Sequence, residues 1–416
     1  MSVNAQNFTS FMTGDSSDVQ VNIQPGLILA GGGTDNDNAM RWMLRRATGG
    51  DVLILRASGS NGYNNYMFSQ LGVAVNSVET IVFRNRDASF DPYVIRRIME
   101  AEIIFIAGGD QTVYYEYWKD TPVAELLNEY TQNRKKIIGG TSAGMMILTD
   151  LVYLPESSGV ISSEALGDPY HQFTKNLNYT NFINSELFEH TFFETHFDQR
   201  NRGGRLMAFM ARASKDAGIR ARAIACNEVT ALCIDENDIA YVFGEHPQYP
   251  DFVYFLEANC AESGMPQSVL PQTPLHWAMP DNKAVIVQKM AGKTDGSPAF
   301  DLKLWRSVST AEIEYWQVSN GVLEKKSATD PECSLISSLP DSKTSGKIPH
   351  VSPNPSNGFV QFPESETVTL FDINGTKVLE SRHTNQLDTT GLKAGIYILH
   401  LESNHRKSQI KISVSR

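Results

Sequence analysis

Lys135–Leu148 reads KKIIGGTSAGMMIL. A short apolar run enters two glycines, passes Thr-Ser-Ala-Gly, and leaves in a second apolar run of helical character. The pattern predicts a buried strand, a tight turn and a helix, with Ser142 at the apex. Gly139, Gly140, Ala143 and Gly144 supply the small neighbours that such a turn needs. A serine there is either a packing or capping residue, or a nucleophile. Gly-Thr-Ser-Ala-Gly fits the spacing G-x-S-x-G, but serines in glycine-rich turns are common, so the five residues alone do not decide.

Working outward, GLILAGGG (Gly26–Gly33), DVLILRAS (Asp51–Ser58), TIVFRN (Thr80–Asn85) and EIIFIAGGD (Glu102–Asp110) are apolar runs that stop at glycine or polar residues. NAMRWMLRRATGG and DPYVIRRIMEA lie between them with helix length. Strands alternating with helices predict an α/β fold, a mostly parallel sheet covered on both faces. Ligands of such sheets sit beyond the carboxyl ends of the strands, so the glycine-rich strand ends point at the site. After about Gly244 the alternation fades, and NKAVIVQKMAG and EIEYWQVSNGVLEKK read as strands completing this domain. Ser327–Gly358 is rich in Ser, Pro, Gly and Asp, a linker composition. Beyond it, VTLFDINGTKVLES and LDTTGLKAGIYILHLES alternate with period two around Asn-Gly, as a small antiparallel all-β sandwich does. The expected boundaries are 1–21 for a residual signal or leader segment, 22–330 for the α/β domain, 331–349 for the linker and 350–416 for the sandwich.

With 416 residues, 41% hydrophobic and 20% charged, the chain can bury more than one core. A formal charge of −11 argues against a general nucleic-acid binder. No segment approaches the roughly 18 apolar residues of a membrane-spanning helix. Cys226, Cys233, Cys260 and Cys333 form no CxxC pair, so they read as buried free thiols; one disulfide is compatible with an exported chain. VNAQ, near the start, resembles the end of a signal peptide.

A nucleophilic serine needs a base. Glu189–Leu206, EHTFFETHFDQRNRGGRL, holds His190 and His196, the latter just before Arg200, Arg202 and Arg205. Glu194, Asp198 and Glu228 are the candidates for the carboxylate that orients an imidazole. Glu228 interrupts an apolar run, IACNEVTALCID, where an unpaired charge is costly. In IFIAGGDQTVYY, Asp110 suits a helix cap. The amides near Gly109 and Ala143 could stabilise an oxyanion, and Gln111 could hold substrate. Gly31–Gly33 match neither phosphate-binding template and read as a tight turn lining the cleft. The three arginines are a solvated helix start or, more sharply, a carboxylate clamp. No ligand pattern implies a metal or an organic cofactor.

GGDQ at Gly108–Gln111, GGTSAG at Gly139–Gly144, THFDQRNRGGRL at Thr195–Leu206 and NEVTAL at Asn227–Leu232 occur in the order seen in cyanophycinases and their serine-peptidase relatives. Over residues 22–330 the chain resembles that family, and more distantly dipeptidase E. The resemblance implies a flavodoxin-like three-layer sandwich related to class I glutamine amidotransferases. It implies Ser142 as nucleophile, His196 as base and Glu228 as orienting acid, with Gln111, Arg200, Arg202 and Arg205 at substrate-pocket positions. Glu194-Thr195 departs from the Asp-Gln usual before the family's histidine. Cyanophycin, a poly-aspartate bearing arginine on its side chains, is the implied polymer, and β-aspartyl-arginine dipeptides the products. A homodimer is a further expectation that the resemblance carries. The tail, from VSPNPSNGFVQF to HRKSQIKISVSR, resembles the type IX secretion sorting domain of Bacteroidetes. That implies export to the cell surface or beyond, with the secretion machinery as partner. The expected function is a secreted serine peptidase. Its alternatives are an exopeptidase for acidic di- and tripeptides, and a binding protein on a catalytically dead scaffold.

Overall fold

The computed structural model describes residues 6–156, 159–179, 182–183, 185–259, 265–279, 283–329, 358–372, 377–403 and 406–414. The chain divides into two compact units, Met1–Ile336 and Ser337–Arg416.

The first unit opens with β1 (Phe8–Gly14), β2 (Gly26–Ala30), α1 (Asp37–Arg46), β3 (Asp51–Arg56), α2 (Gly62–Asn65), β4 (Ser77–Phe83), α3 (Pro92–Glu100), β5 (Ile103–Ile106), α4 (Gln111–Trp118), α5 (Pro122–Asn133), β6 (Ile137–Thr141) and α6 (Ala143–Met146). Side chains cap the starts of α1, α3 and α4, Asp110 where the sequence expects it. Asn36 accepts from the amides of Asn38 and Ala39 at the head of α1, Asp91 caps α3 just before Pro92, and Asp110 caps α4. β7 (Val152–Tyr153) and β8 (Leu177–Asn178) form a small ladder around α7 (Ser162–Gly167). β9 (Thr191–Glu194), α8 (Gly203–Ala217), β10 (Arg222–Cys226), β11 (Ala231–Ile234), β12 (Ile239–Phe243), β13 (Phe252–Ala258), β14 (Val285–Ala291), β15 (Ala299–Asp301), β16 (Arg306–Ser307), β17 (Glu312–Ser319) and β18 (Val322–Ala328) complete the unit.

The main sheet runs β1-β4-β3-β5-β6-β2-β11-β12-β15-β16. It is parallel only in its middle, from β4 to β2, and antiparallel on both flanks. Every residue of β2, β5 and β6 is buried, as a strand covered on both faces requires, which is why none of them carries a charge. β4-β3-β5-β6 follows the 2-1-3-4 part of a flavodoxin-like order, but the fifth place is filled by β2, which precedes them in the chain.

Two expectations need correction. Phe8–Gly14 falls in the stretch read as leader, yet pairs residue for residue with β4 as an edge strand. The sheet is less parallel than its alternation suggested, because β11, β12 and β15 extend it through antiparallel ladders. The strands after Gly244 belong to the same unit. Most of them build a second sheet, β18-β17-β14-β13-β10-β9, parallel only between β9 and β10, whose core includes Phe209 of α8, Trp277 and Trp316.

In the second unit, β19 (Phe359–Asp372), β20 (Lys377–Asp388), β21 (Gly395–Ser403) and β22 (Arg406–Val414) form one antiparallel sheet in the order β20-β19-β21-β22. Val360, Val368, Leu370, Leu399 and Ile412 are fully buried in its own core. A second layer, which a sandwich requires, is not among the described residues. The linker 331–349 and the Asn-Gly turn at 374–375 also lie outside them.

Candidate active site

Ser142 sits between β6 and α6 with φ 53° and ψ −119°, a backbone state that non-glycine residues rarely adopt. The turn is tight enough to exclude side chains. A Cβ on Gly144 would lie 2.0 Å from the carbonyl oxygen of Ile106. The strain is shared: His196 has φ 46° and Val229, next to Glu228, has φ 60°. Such states persist only where the surroundings over-determine them.

Here the surroundings are three consecutive carbonyls. Ala30 O accepts from Ser142 N at 3.0 Å, Gly31 O from His196 N at 2.8 Å, and Gly32 O from Val229 N at 3.0 Å. The end of β2 thus pins the loops that carry Ser142, His196 and Glu228. The turn read as cleft lining is the hub of the site. Gly32 has φ +93°, and a Cβ there would stand 2.5 Å from His196 Nε2. Pattern reading missed this role; the three adjacent glycines were its only signal.

Ser142 Oγ and His196 Nε2 are 2.8 Å apart, and His196 Nδ1 and Glu228 Oε1 are 2.5 Å apart. With Nδ1–H donating to Glu228, Nε2 is left as an acceptor facing the serine. The imidazole is buried, while the Glu228 side chain remains 33% exposed. Burial pushes the His196 pKa down. The Glu228 hydrogen bond opposes this, and Arg200 and Arg202 reinforce it, so the net value lies below 6.5. His196 is therefore neutral at pH 7. Gln199 Oε1 accepts from the amide of Glu228 at 3.0 Å and steadies the acid's backbone.

The other carboxylates are committed elsewhere. Asp198 Oδ2 accepts from Asn227 Nδ2 at 3.0 Å and from the Tyr254 hydroxyl at 2.6 Å. Glu194 is buried and accepts both arms of Arg205, at 2.7 and 2.8 Å, plus Arg202 Nη1 at 2.9 Å. This corrects the arginine clamp. Arg205 is 5% exposed and its fork is filled by Glu194 and by the Val160 carbonyl. Arg202 Nη1 is held by Glu194 and Thr195. Arg200 is exposed, and among the described residues its guanidinium has no hydrogen-bond or ion-pair partner. Gln111 is also engaged: its side-chain nitrogen donates to Tyr153 O at 3.1 Å. His190, the other histidine of this stretch, donates its amide to Asp150 and is not part of the cluster.

Of the expected oxyanion groups, Ala143 follows Ser142 directly at the first position of α6. On the β5 side, Gly108 rather than Gly109 backs onto the serine. A Cβ on Gly108 would lie 3.6 Å from that of Ser142, whereas one on Gly109 would meet the Tyr114 hydroxyl at 2.8 Å. That hydroxyl donates to Ala107 O at 2.8 Å and Gly108 O at 3.2 Å and fixes the turn, a role not legible beforehand. Cys226 and Cys233 are buried free thiols, raised well above the usual range by burial; Cys260 and Cys333 lie outside the described residues. Among the described residues no group of three or more His, Cys, Asp and Glu side chains is arranged to hold a metal ion.

Residues 62–242 match Peptidase family S51, and residues 350–415 match the Secretion system C-terminal sorting domain. The cyanophycinases of Trichormus variabilis and Nostoc sp. are each 26% identical over 153 residues, covering 37% of this chain and 47% of the relative. The chain thus spans about half the length of the curated relatives it matches. The crystal structure of a peptidase from an acI-B1 Actinobacterium superposes with a TM-score of 0.44 at 15% identity, over 67% of this chain and 98% of that one. A central stretch of the chain is thus similar to Peptidase family S51 and to cyanophycinases, and its C-terminal stretch to a secretion sorting domain.

Proposed function

We propose that the chain is an exported serine-type peptidase that hydrolyses amide bonds in an acidic peptide or in cyanophycin. The observation that carries this reading is the continuous chain from Ser142 Oγ through His196 to Glu228, with contacts of 2.8 and 2.5 Å. Ser142 Oγ attacks the amide carbon as its proton passes to His196 Nε2. Glu228 holds the ring and stabilises its charged form. The amide of Ala143, with an amide of the Gly108–Gly109 turn, receives the developing oxyanion. The C–N bond breaks as His196 returns the proton to the leaving amine, and an acyl-serine remains. Water, giving its proton to His196, then releases the acid and restores Ser142.

The S51 match and the strained serine turn support the mechanism; the similarity to proteins named cyanophycinase supports the substrate. Arg200, exposed and without a partner among the described residues, is the guanidinium best placed to meet a substrate carboxylate. We infer from the sorting-domain match that the type IX machinery delivers the enzyme to the cell surface or beyond.

The test is incubation with insoluble cyanophycin and, separately, with acidic di- and tripeptide amides, each beside Ser142→Ala. Release of β-aspartyl-arginine by the wild type alone is the expected result. Cleavage of the small peptides only moves the substrate to an exopeptidase reading, and the absence of any serine-dependent cleavage overturns the enzyme.

A further inference from the structure

β9 and β10 run parallel, and their register ends at Glu194 and Ala225. His196 stands on the loop after β9 and Glu228 on the loop after β10. Past that register three successive residue pairs hold the two segments together. Phe197 N donates to Cys226 O at 3.2 Å. Asp198 N donates to Asn227 Oδ1 at 3.1 Å, and Asn227 Nδ2 donates back to Asp198 Oδ2 at 3.0 Å. Glu228 N donates to Gln199 Oε1 at 3.0 Å. Side chains thus carry the pairing on where the strand ladder has stopped, and the run ends at the acid.

The middle pair is anchored from a third element. Asn227 is fully buried; its Nδ2 also donates to Pro250 O at 2.7 Å, and its amide donates to Phe252 O at 3.0 Å. The Tyr254 hydroxyl donates to Asp198 Oδ2 at 2.6 Å. The start of β13 therefore holds both members. The backbone around the pair needs holding, because His196 and Val229 have φ 46° and 60°. The Glu228 side chain is partly exposed, so packing alone does not fix it.

We propose that Asp198 and Asn227 are positioning residues: their reciprocal bonds clamp the loop of the base to the loop of the acid and hold Glu228 against His196 Nδ1. This rests on the reading of Ser142, His196 and Glu228 as a triad, and deepens it by naming what sets the 2.5 Å contact between acid and base. Carbonyls 30–32 pin each loop to β2, whereas the clamp pins the loops to each other.

The full-length protein with Asp198→Ala, Asp198→Asn, Asn227→Ala and the double alanine change tests it. The His196 pKa is read by NMR titration, beside kcat and KM on the best amide substrate. Burial, Arg200 and Arg202 disfavour the charged imidazole, and Glu228 favours it. Asp198→Ala should slacken the Glu228 contact, so the His196 pKa should fall towards that of Glu228→Gln. Its kcat should drop about 10-fold with KM little changed, as loss of a hydrogen bond that acts through another residue predicts. Asp198→Asn removes the same charge but keeps an oxygen for Asn227 and Tyr254. Asp198 is exposed, so the new amide nitrogen can face water. The His196 pKa and most of the rate should then be recovered. The double change should be no slower than the slower single one, because both break one link. Where Asn227→Ala fails to fold, the two Asp198 variants decide alone. Equal pKa shifts in Asp198→Ala and Asp198→Asn would make the effect one of charge and overturn the proposal. An unmoved His196 pKa, or a raised KM with kcat intact, overturns it too. Wild-type protein that cleaves no amide and takes no fluorophosphonate label at Ser142 overturns the enzymatic reading instead, and the His196 titration still decides the clamp.

Discussion

At Ser142 and His196 the local backbone is unfavourable, and three carbonyls of one turn make it affordable. Gly32→Ala would place a methyl against the His196 ring at a positive φ. We expect a folded protein whose kcat falls by about 100-fold or more, as a 1 Å misplacement of a catalytic group does; near-normal kcat would show that the turn is not the hub. The pH profile carries the signs of the His196 environment. His196 must be neutral to accept a proton, so the acid limb of kcat/KM should lie below pH 6.5. Arg200→Ala removes a charge that disfavours the imidazolium, so the limb should move to higher pH, with KM for acidic substrates raised. Glu228→Gln removes a bond that favours the imidazolium, so the limb should move to lower pH, and kcat should fall by about 10⁴-fold, as loss of a triad's orienting carboxylate does.

Between elements, Glu194 ties the end of β9 to the head of α8 through Arg202 and Arg205. Burial alone would raise its pKa, but Arg205 and then Arg202 outweigh that and hold it below 4.5. The folded value is depressed, so the stabilisation is fully present above the unfolded pKa and is lost as pH falls through the folded one. Glu194→Gln leaves two guanidiniums without their anion and should cost about 3–5 kcal/mol in urea unfolding at pH 7. Its stability should also fall less steeply with acid than that of the wild type. An unchanged midpoint would mean that the arginines find other partners.

Across the whole molecule, the two units each bury a core of their own. A chain ending at Ile336 should therefore fold and hydrolyse substrate at the full-length rate, measured on the purified protein. In a type IX-competent host the same chain should stay inside the cell. Loss of hydrolysis on truncation would show that the tail contributes to the site.

What the sequence determined by itself follows from local physics. Buried strands are rich in apolar residues, turns need small residues and helices need caps, so most of β2 to β6, the serine turn, Asp110 as cap and the β-rich tail could be read directly. The choice among Glu194, Asp198 and Glu228 could not be read from spacing, because all three lie close enough in sequence or in pattern to serve. Only folding brings Glu228 to 2.5 Å from His196, while Arg205 takes Glu194 and Tyr254 takes Asp198. The fate of the arginines, the hub at Gly31–Gly32 and the second sheet were hidden for the same reason. Periodicity records which residues are buried, whereas the partner each one meets is set by contacts between segments far apart in the chain.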